Sequence, residues 1–473
     1  MQLRTTQNMR TDNPVFKAGL LSRISRFKKN ECASVLVIVL WICLGLVSIA
    51  LYFAHAMTFE LRAADNRVNG IAAEQAIEGA ARYVGYVLEN YSTNGAVPDP
   101  TQFKSAVVEI GDAKFWLIGR DPAEANSSEP FFGLIDEGGK INLNTANTNT
   151  ISYLPGMTMD FAQAIVDWRN TNTQLSLNYS SLGYSPKYAP FESVDELRLV
   201  YGATVDLLAG EDINRNGVLD KSEKDVNGNG ELDPGLFEFV TVWTREPNFH
   251  SDGTQLTNVN TVTQSQLTAL LRDNGAGSPD QRAGTIYTQI HGNRQNPRNT
   301  PFNGIFDFAA FWRGQGWSAD DFAKISDETT TSTNTYFRGR VNVNTASQDV
   351  LTALFSGLNN VDEQTASSAA QTLVTYREQN AGNLNSVAWV YDALGNSGVV
   401  TALRAGNLIT TKSFQFTADI AAVGAFGRGY RRVKFIFDTC DGAPKIVYRQ
   451  DLSRLGWALG EKARTDLLAK NTQ

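Results

Sequence analysis

Residues 34–90 read SVLVIVLWICLGLVSIALYFAHAMTFELRAADNRVNGIAAEQAIEGAARYVGYVLEN, and this stretch decides the fold. No charged side chain lies between Cys32 and Phe59, and a helix of that length can cross about 30 Å of hydrocarbon. The second half contains no proline, and its apolar residues recur at three- and four-residue spacing at Ile77, Ala80, Ala81, Val84, Val87 and Leu88. Asn94-Gly95 is the first clear stop signal. The stretch predicts one helix of roughly 55 residues, with its first half in lipid and its second half against a globular domain.

Basic residues precede the apolar run. Residues 1–31 contain seven Lys or Arg against Asp12 and Glu31, and the positive-inside rule keeps such a segment in the cytoplasm. The run is longer than a secretory h-region and no A-x-A motif follows it, so signal peptidase is not expected to release the chain. The sequence therefore predicts a single-pass protein with a cytoplasmic N-terminus and an exported C-terminal part.

The junction between the basic leader and the apolar run, at Ala33-Ser34-Val35, resembles that of type IV pilin-like proteins. The resemblance implies a bacterial inner-membrane protein that prepilin peptidase cuts between Ala33 and Ser34 and then methylates. Two positions depart from the usual pattern, because Ala33 replaces Gly and Ile38 replaces Glu at the fifth mature position. One subclass is known to lack that Glu: the general secretion pathway protein K family, the large minor pseudopilins of type II secretion.

Charge and cysteine content narrow the functional classes. The formal net charge is −7, so no general basic surface for nucleic acid is expected. Of the three cysteines, Cys32 and Cys43 lie at or in the apolar run, which leaves Cys440 without a disulfide partner in the exported part. Burial of apolar surface, with metal as a candidate addition, is the expected source of stability.

Strand-like segments lie on both sides of a long, mainly helical region. They are Ala113–Ile118 and Pro130–Ile135 before it, and Ser413–Ala421, Tyr430–Phe437 and Pro444–Arg449 after it. Leu236–Trp243 reads as a further strand inside the region. The pattern predicts an α+β fold in which the long pilin-type helix packs on an antiparallel sheet that a large helical insertion interrupts. The predicted domains are the leader 1–33, the transmembrane part 34–58 and the exported part 59–92 of the helix, a β domain of 93–139 and 406–473, and the insertion 140–405.

An internal repeat organises the insertion. Residues 140–146 (KINLNTA) recur as residues 340–346 (RVNVNTA). Each copy continues into two predicted helices, which gives helix-hairpin-helix-like repeats at 140–200 and 340–395, each opened by a turn that caps its first helix. Hairpins that bind nucleic acid use two glycines to approach a phosphate, whereas these have Thr158 and Asn359 at the second position. The residues favour a packing unit, and the duplicated motif again resembles the protein K family.

The clearest chemical signal lies at residues 212–236, where two loops have calcium-ligand spacing. In the first loop, oxygen donors stand at positions 1, 3, 5, 7, 9 and 12 of the EF-hand pattern. They are Asp212, Asn214, Asn216, the Val218 carbonyl, Asp220 and Glu223. Gly217 supplies the sharp turn at position 6. These residues predict a Ca²⁺ site, and the alternative is a polar turn without metal.

A second loop starts 13 residues after the first. Its donors are Asp225, Asn227, Asn229, Glu231 and Asp233. Position 12 is Leu236, so the bidentate carboxylate is missing, and Glu238 is the candidate that would replace it if the loop were distorted. No long helix is predicted beside either loop, and a calcium switch needs two helices to reorient. A structural Ca²⁺ clamp is therefore expected.

No catalytic motif accompanies these features, because the chain lacks G-x-S-x-G, H-E-x-x-H and the P-loop pattern. The family resemblance implies a non-enzymatic subunit at the tip of a pseudopilus, a short periplasmic fibre. Its implied partners are the minor pseudopilins I and J, the other pseudopilus subunits and prepilin peptidase, without nucleic acid. Two other classes stay open: a membrane-anchored protein that binds DNA through the hairpins, and a calcium-dependent envelope hydrolase.

Overall fold

The computed structural model describes residues 32–120, 129–170, 179, 183–292 and 299–469. Nearly all of the predicted leader, 1–33, lies outside these residues, so its cleavage and orientation stay predictions. Internal contacts divide the chain after Ala64 into two units, and each unit is compact in itself. The domain boundaries predicted above likewise stay predictions.

One long helix, α1 (Cys32–Tyr91), confirms the N-terminal element predicted from the sequence. The large apolar side chains between Val35 and Phe59 are exposed, and this part of the helix is long and apolar enough to cross a membrane. All six residues of the predicted apolar stripe, from Ile77 to Leu88, are buried. The chain turns away after the helix at Asn94-Gly95, where both residues have positive φ angles.

The other helices and strands are numbered in chain order. They are β1 (Val108–Ile110), β2 (Ala113–Ile118), β3 (Ile135–Asp136), β4 (Ile141–Asn142), α2 (Thr148–Ser152), α3 (Met159–Arg169), α4 (Val205–Ala209), α5 (Leu236–Phe239), β5 (Val240–Thr241), β6 (Arg245–Pro247), β7 (Thr257–Asn258), α6 (Gln264–Asp273), α7 (Pro279–His291), α8 (Ile305–Gly314), α9 (Ala319–Ser326), β8 (Thr329–Thr330), β9 (Tyr336–Arg338), β10 (Val341–Asn342), α10 (Gln348–Ser356), α11 (Glu363–Gln379), α12 (Ala388–Leu394), α13 (Gly398–Leu403), β11 (Ile409–Thr410), β12 (Gln415–Val423), β13 (Arg431–Asp438), β14 (Lys445–Asp451) and α14 (Gly460–Ala469).

An antiparallel sheet joins segments from before and after the insertion. Its order is β1-β2-β12-β13-β14, and β3 also pairs with β12. The α+β architecture and the split sheet predicted from the sequence are therefore confirmed. Of the segment predicted as a strand before the insertion, Pro130–Ile135, only its last residue lies in a strand, because β3 starts at Ile135.

The two faces of this sheet differ in chemistry because side chains alternate along each strand. The face toward α1 is apolar, and Phe115, Ile420 and Phe435 pack there against the alanine-rich stripe of the helix. Small alanines let the helix backbone approach the sheet closely while the aromatic rings fill the space. The opposite face carries Asp419 and Arg432, which form a buried ion pair, so the elements that cover this face must supply polar partners.

The described part of the insertion contains three copies of one unit, one more than the two predicted from the sequence. Each unit starts with a two-residue strand, continues through a helical hairpin and at least two further short helices, and ends with a strand parallel to the first. The units run from β4 to β5, from β7 to β8 and from β10 to β11. Residues 212–236 interrupt the first unit between α4 and α5.

The same asparagine turn opens each unit, and the middle copy is Asn258-Val259-Asn260-Thr261-Val262. In all three turns the first Asn accepts a hydrogen bond from the backbone N–H of the second, at 2.8–3.0 Å. The second Asn then holds a later segment of its own unit. Asn260, for example, accepts the N–H of Phe302 and donates to its carbonyl, both at 2.9 Å.

The first and third units pack against each other in a reciprocal way. A Cβ on Gly139 would lie 3.0 Å from Thr345 Oγ1, and a Cβ on Gly339 would lie 1.8 Å from Thr145 Oγ1. Gly357, at the tip of the third hairpin, faces Thr150 of the first hairpin so closely that a Cβ would lie 2.1 Å from its hydroxyl oxygen. The hairpin glycine therefore serves helix packing.

Two local predictions are wrong. Leu236–Trp243 is not one strand, because Leu236–Phe239 forms the single helical turn α5 and only Val240–Thr241 pairs as a strand, with β4. Leu236 and Phe239 are both buried at helical spacing, which the short alternating pattern concealed. The asparagine turns also do not cap the first hairpin helices themselves, since the next residues, Asn147 and Ser347, accept the capping hydrogen bonds.

Candidate calcium loops

A close contact between two backbone segments closes the base of residues 212–236. Glu211 donates its N–H to the carbonyl of Asp233 at 3.0 Å, and Gly235 donates to Ala209 at 3.0 Å. A Cβ on Gly210 or on Gly235 would lie 2.4 Å from the opposite backbone. Gly210 also has a φ of 63°, so glycine is required there on both counts. Both predicted loops therefore lie in one segment of the first unit whose two ends are held together by these backbone contacts.

Asp212 organises the start of the first loop. Its Oδ1 accepts the N–H of Asn216 at 2.9 Å, and its Oδ2 accepts the N–H of Gly217 at 2.8 Å. Gly217 has a φ of 84°, which gives the sharp turn predicted at position 6. The carboxylate at position 1 therefore folds the loop back around itself.

The remaining predicted donors converge on the same place. The amide Nδ2 atoms of Asn214 and Asn216 both donate to Asp220 Oδ2, at 2.5 and 2.9 Å. Glu223 accepts the N–H groups of Asn214 and Asp220 on its two carboxylate oxygens, at 3.0 and 3.1 Å. The structure thus brings together the predicted side-chain donors of the first loop. Val218, at position 7 of the same loop, is buried.

Burial makes this cluster electrostatically demanding. Desolvation raises the pKa of Asp212, and the guanidinium of Arg120, 3.7 Å from Asp212 Oδ2, only partly offsets this effect. Desolvation also raises the pKa of Glu223, with further contributions from Asp212 and Asp220. A raised carboxyl pKa means that the surrounding protein undercompensates the negative charge. A cation among these carboxylates would remove that deficit.

The residues of the first loop fit Ca²⁺. Asn214 Oδ1 is buried and accepts no hydrogen bond from the described residues, so an oxygen donor is left over in the cluster. Carboxylate, carboxamide and carbonyl oxygens are the ligands that Ca²⁺ prefers. The described residues contain no group of three His, Cys, Asp or Glu arranged as a metal site, and this loop instead combines carboxylates with amide and carbonyl oxygens.

The second loop resembles the first, except that a carboxylate from outside the loop takes the place of the position-12 residue. The sequence pattern does not predict this replacement. Asp225 accepts the N–H groups of Gly228 and Gly230, at 2.6 and 2.8 Å, as a position-1 residue does. Glu211 accepts the N–H groups of Val226 and Asp233 on its two oxygens, at 2.6 and 3.1 Å. The carboxylate of Glu211 therefore occupies the role that Glu223 has in the first loop, although it precedes the loop instead of ending it.

The other predicted donors of the second loop are close together but exposed. Asn227 Nδ2 donates to Asp233 Oδ2, and Asn229 Oδ1 accepts the N–H of Glu231. Glu238 does not join them, because both of its carboxylate oxygens accept hydrogen bonds from Arg120 Nε at 2.9 Å. Only a contact between chain segments could identify Glu211, since it lies outside the twelve-residue pattern.

The two histidines and the third hairpin bear on the two alternative functions, hydrolysis and DNA binding. His250 lies 3.6 Å from Glu328, while His291 stacks on Tyr287. Neither histidine has a hydrogen bond to a Ser or Cys side chain among the described contacts. The tip of the third hairpin is occupied by its contact with Thr150, which counts against phosphate binding by Gly357.

A motif family and a solved secretion-system complex are each similar to part of this chain. The helix-hairpin-helix motif family matches residues 136–176, which cover the opening turn and the hairpin of the first unit. No curated protein matches the sequence. Among solved structures, the chain is similar to a chain of the GspK–GspI–GspJ complex from the type 2 secretion system of enterotoxigenic Escherichia coli, with 14% identity over 44% of this chain and 78% of that chain, and a TM-score of 0.17. Similarity at this level carries no argument about this chain.

Proposed function

We propose that this chain is a minor pseudopilin of a type II protein secretion system, of the general secretion pathway protein K type. The observation that carries the proposal is the long helix α1. Its first part presents only apolar and uncharged side chains, and its second part lays an alanine-rich stripe on one face of an antiparallel sheet. A helix that serves both a membrane and a globular domain is what a pilin-like subunit needs.

The processing and position of the subunit follow from its N-terminal residues. Cleavage between Ala33 and Ser34 by prepilin peptidase would leave residues 34–58 in the inner membrane and the rest in the periplasm. A Glu at the fifth mature position meets the N-terminus of a neighbouring subunit in such fibres, and Ile38 cannot do so. The subunit therefore belongs at the tip, beside the minor pseudopilins I and J, where it initiates or caps the fibre without enzymatic activity.

Two Ca²⁺ ions would act as structural clamps in this subunit. The first would be held by Asp212, Asn214, Asn216, Val218, Asp220 and Glu223. The second would be held by Asp225, Asn227, Asn229, Glu231 and Asp233, with Glu211 in place of a position-12 carboxylate. Bound Ca²⁺ supplies positive charge to buried oxygens, which stabilises the folded loops relative to the unfolded chain. The 5-residue α4 and the 4-residue α5 flank the loops, so a clamp suits them better than a switch.

The test is to purify the full chain in detergent from its native membrane, identify the proteins that accompany it, and determine its mature N-terminus. We expect Ser34 at the N-terminus and two small pilin-like partners. The matched variant Ala33→Leu, which removes the small residue before the cut, should keep its leader. An uncut wild-type chain without pilin-like partners would refute the proposal, and so would immunogold labelling of the subunit at many places along the fibre.

A further inference from the structure

The polypeptide after the last strand covers an apolar part of the sheet face that also carries Asp419 and Arg432. Ala458 and Leu459 are buried there against Trp116 and Ile118 of β2 and two apolar residues of β12. The segment 457–459 then leads into α14. Whatever fixes this segment also closes the outer face of the sheet.

The first calcium loop reaches this segment directly. Asn214 Nδ2 donates to the carbonyl of Trp457 at 3.2 Å, and Asn216 Nδ2 donates to the carbonyl of Ala458 at 3.4 Å. These two residues are positions 3 and 5 of the loop. Each carboxamide nitrogen therefore contacts the C-terminal segment. Asn214 Oδ1 accepts no hydrogen bond from the described residues, and Asn216 Oδ1 accepts one, from the N–H of Val218 at 3.0 Å, so each oxygen keeps a lone pair for a cation.

Two arginines, one in β13 and one shortly after β2, bind the backbone of the same loop. Arg432 is fully buried and donates to the carbonyls of Asn214 and Arg215, while its Nε donates to Asp419 at 2.8 Å. Arg120 donates to the carbonyl of Arg215 as well, at 3.2 Å. The loop is thus fixed between the sheet and the C-terminal segment, and its side-chain amides are the part that reaches outward.

We infer that the first calcium loop is a latch: Ca²⁺ bound to the side-chain oxygens of Asn214 and Asn216 orients their amide nitrogens toward the carbonyls of Trp457 and Ala458 and so docks the C-terminal segment on the sheet. The inference rests on the proposed calcium site and adds the C-terminal segment as the part of the chain that this site holds in place. It also gives a reason for Asn at these positions. Asp could bind Ca²⁺ there but could not donate to a carbonyl.

The experiment compares hydrogen exchange in residues 457–469 of the full chain in detergent, with Ca²⁺ and with EGTA, while calcium binding is measured separately by titration. In wild type we expect exchange at least tenfold faster in EGTA. The double variant Asn214→Asp/Asn216→Asp should still bind Ca²⁺, yet exchange this segment at the fast rate even when Ca²⁺ is saturating. The matched control Asn227→Asp/Asn229→Asp alters the equivalent positions of the second loop, whose hydrogen bonds among the described residues stay within that loop, and should leave the protection of the C-terminal segment unchanged.

The outcomes separate the latch from the calcium site. If wild type binds Ca²⁺ in the first loop but the segment exchanges equally with Ca²⁺ and EGTA, the latch is wrong and the calcium site stands. If the double variant binds Ca²⁺ and protects the segment as wild type does, the amide contacts are not the link. If wild type binds no Ca²⁺ at all, the calcium site and the latch both fail.

Discussion

Glu137 illustrates how one buried carboxylate joins the sheet to the insertion. It is 3% exposed, and it accepts hydrogen bonds from Thr417 of β12 and from Thr241 of β5 at 2.6 and 2.5 Å. Burial by itself raises the pKa of Glu137, but the charges of Lys140 and Lys434 and the two hydroxyl donors outweigh this effect, so the pKa lies below its ordinary value. The ionised form is therefore the one that the fold stabilises.

This lowered pKa predicts a definite pH dependence for Glu137→Gln. At neutral pH the variant should lose about 3 kcal/mol in the free energy of unfolding, because the buried amines lose their anionic partner. A depressed carboxyl pKa gives stability that is complete above the unfolded-state pKa and lost as pH falls through the folded-state pKa. The difference from wild type should therefore shrink below about pH 4.5. Urea unfolding at a series of pH values measures it, with the exposed Glu378→Gln as control, and a difference that grows on acidification would contradict the assignment.

At the scale of elements, the asparagine turn is the part that the three units of the insertion share. We predict that Asn260→Ala destabilises the chain as much as Asn144→Ala or Asn344→Ala, each by roughly 1–3 kcal/mol, because each leaves polar groups of its own unit without partners. These groups are the backbone of Phe302 and of Phe191 for the first two, and the Leu384 carbonyl and the Trp389 indole N–H for Asn344. Thermal unfolding of the three variants, with the exposed Asn66→Ala as control, provides the comparison. A negligible effect at Asn260 alone would mean that the middle unit does not depend on its turn.

The elements that could be predicted from the sequence are those whose pattern is local. Helix α1 was predictable because its apolar spacing continues from Ile77 to Leu88, and the first and third units because their seven-residue motifs nearly coincide. The sequence does not predict the middle unit, because its turn Asn258-Val259-Asn260-Thr261 is followed by Val262 instead of the Ala that ends the other two motifs. The sequence predicts one strand over Leu236–Trp243, because an alternating pattern of eight residues cannot distinguish a helical turn followed by a strand from a single strand.

At the scale of the whole molecule, the contacts that could not be predicted join distant segments. β2 pairs with β12 across the entire insertion, and Arg432 binds a loop more than 200 residues away, at Asn214. The convergence of the oxygen donors in the first loop could be predicted because these positions all lie within twelve residues, and their binding of Ca²⁺ stays a prediction. The role of Glu211 could not be predicted, because it depends on the close backbone contact between Gly210 and Gly235. This contact brings the start of the loop segment beside the second loop.

This long-range arrangement predicts how calcium binding will respond to single substitutions in the full chain. Wild type should bind two Ca²⁺ and gain stability on saturation, by about 2.7 kcal/mol at each site when free Ca²⁺ is a hundredfold above its dissociation constant. Glu223→Gln should abolish or greatly weaken the first site, and Glu211→Gln the second, since each removes a carboxylate whose two oxygens accept backbone N–H groups from two separate parts of its loop. Glu238→Gln is the matched control, because that carboxylate belongs to the ion pair with Arg120, and it should keep both sites. Titration calorimetry gives the stoichiometry and melting with Ca²⁺ or EGTA gives the gain in stability. Loss of the second site in Glu238→Gln but not in Glu211→Gln would reassign the ligand to the residue that the linear pattern suggested.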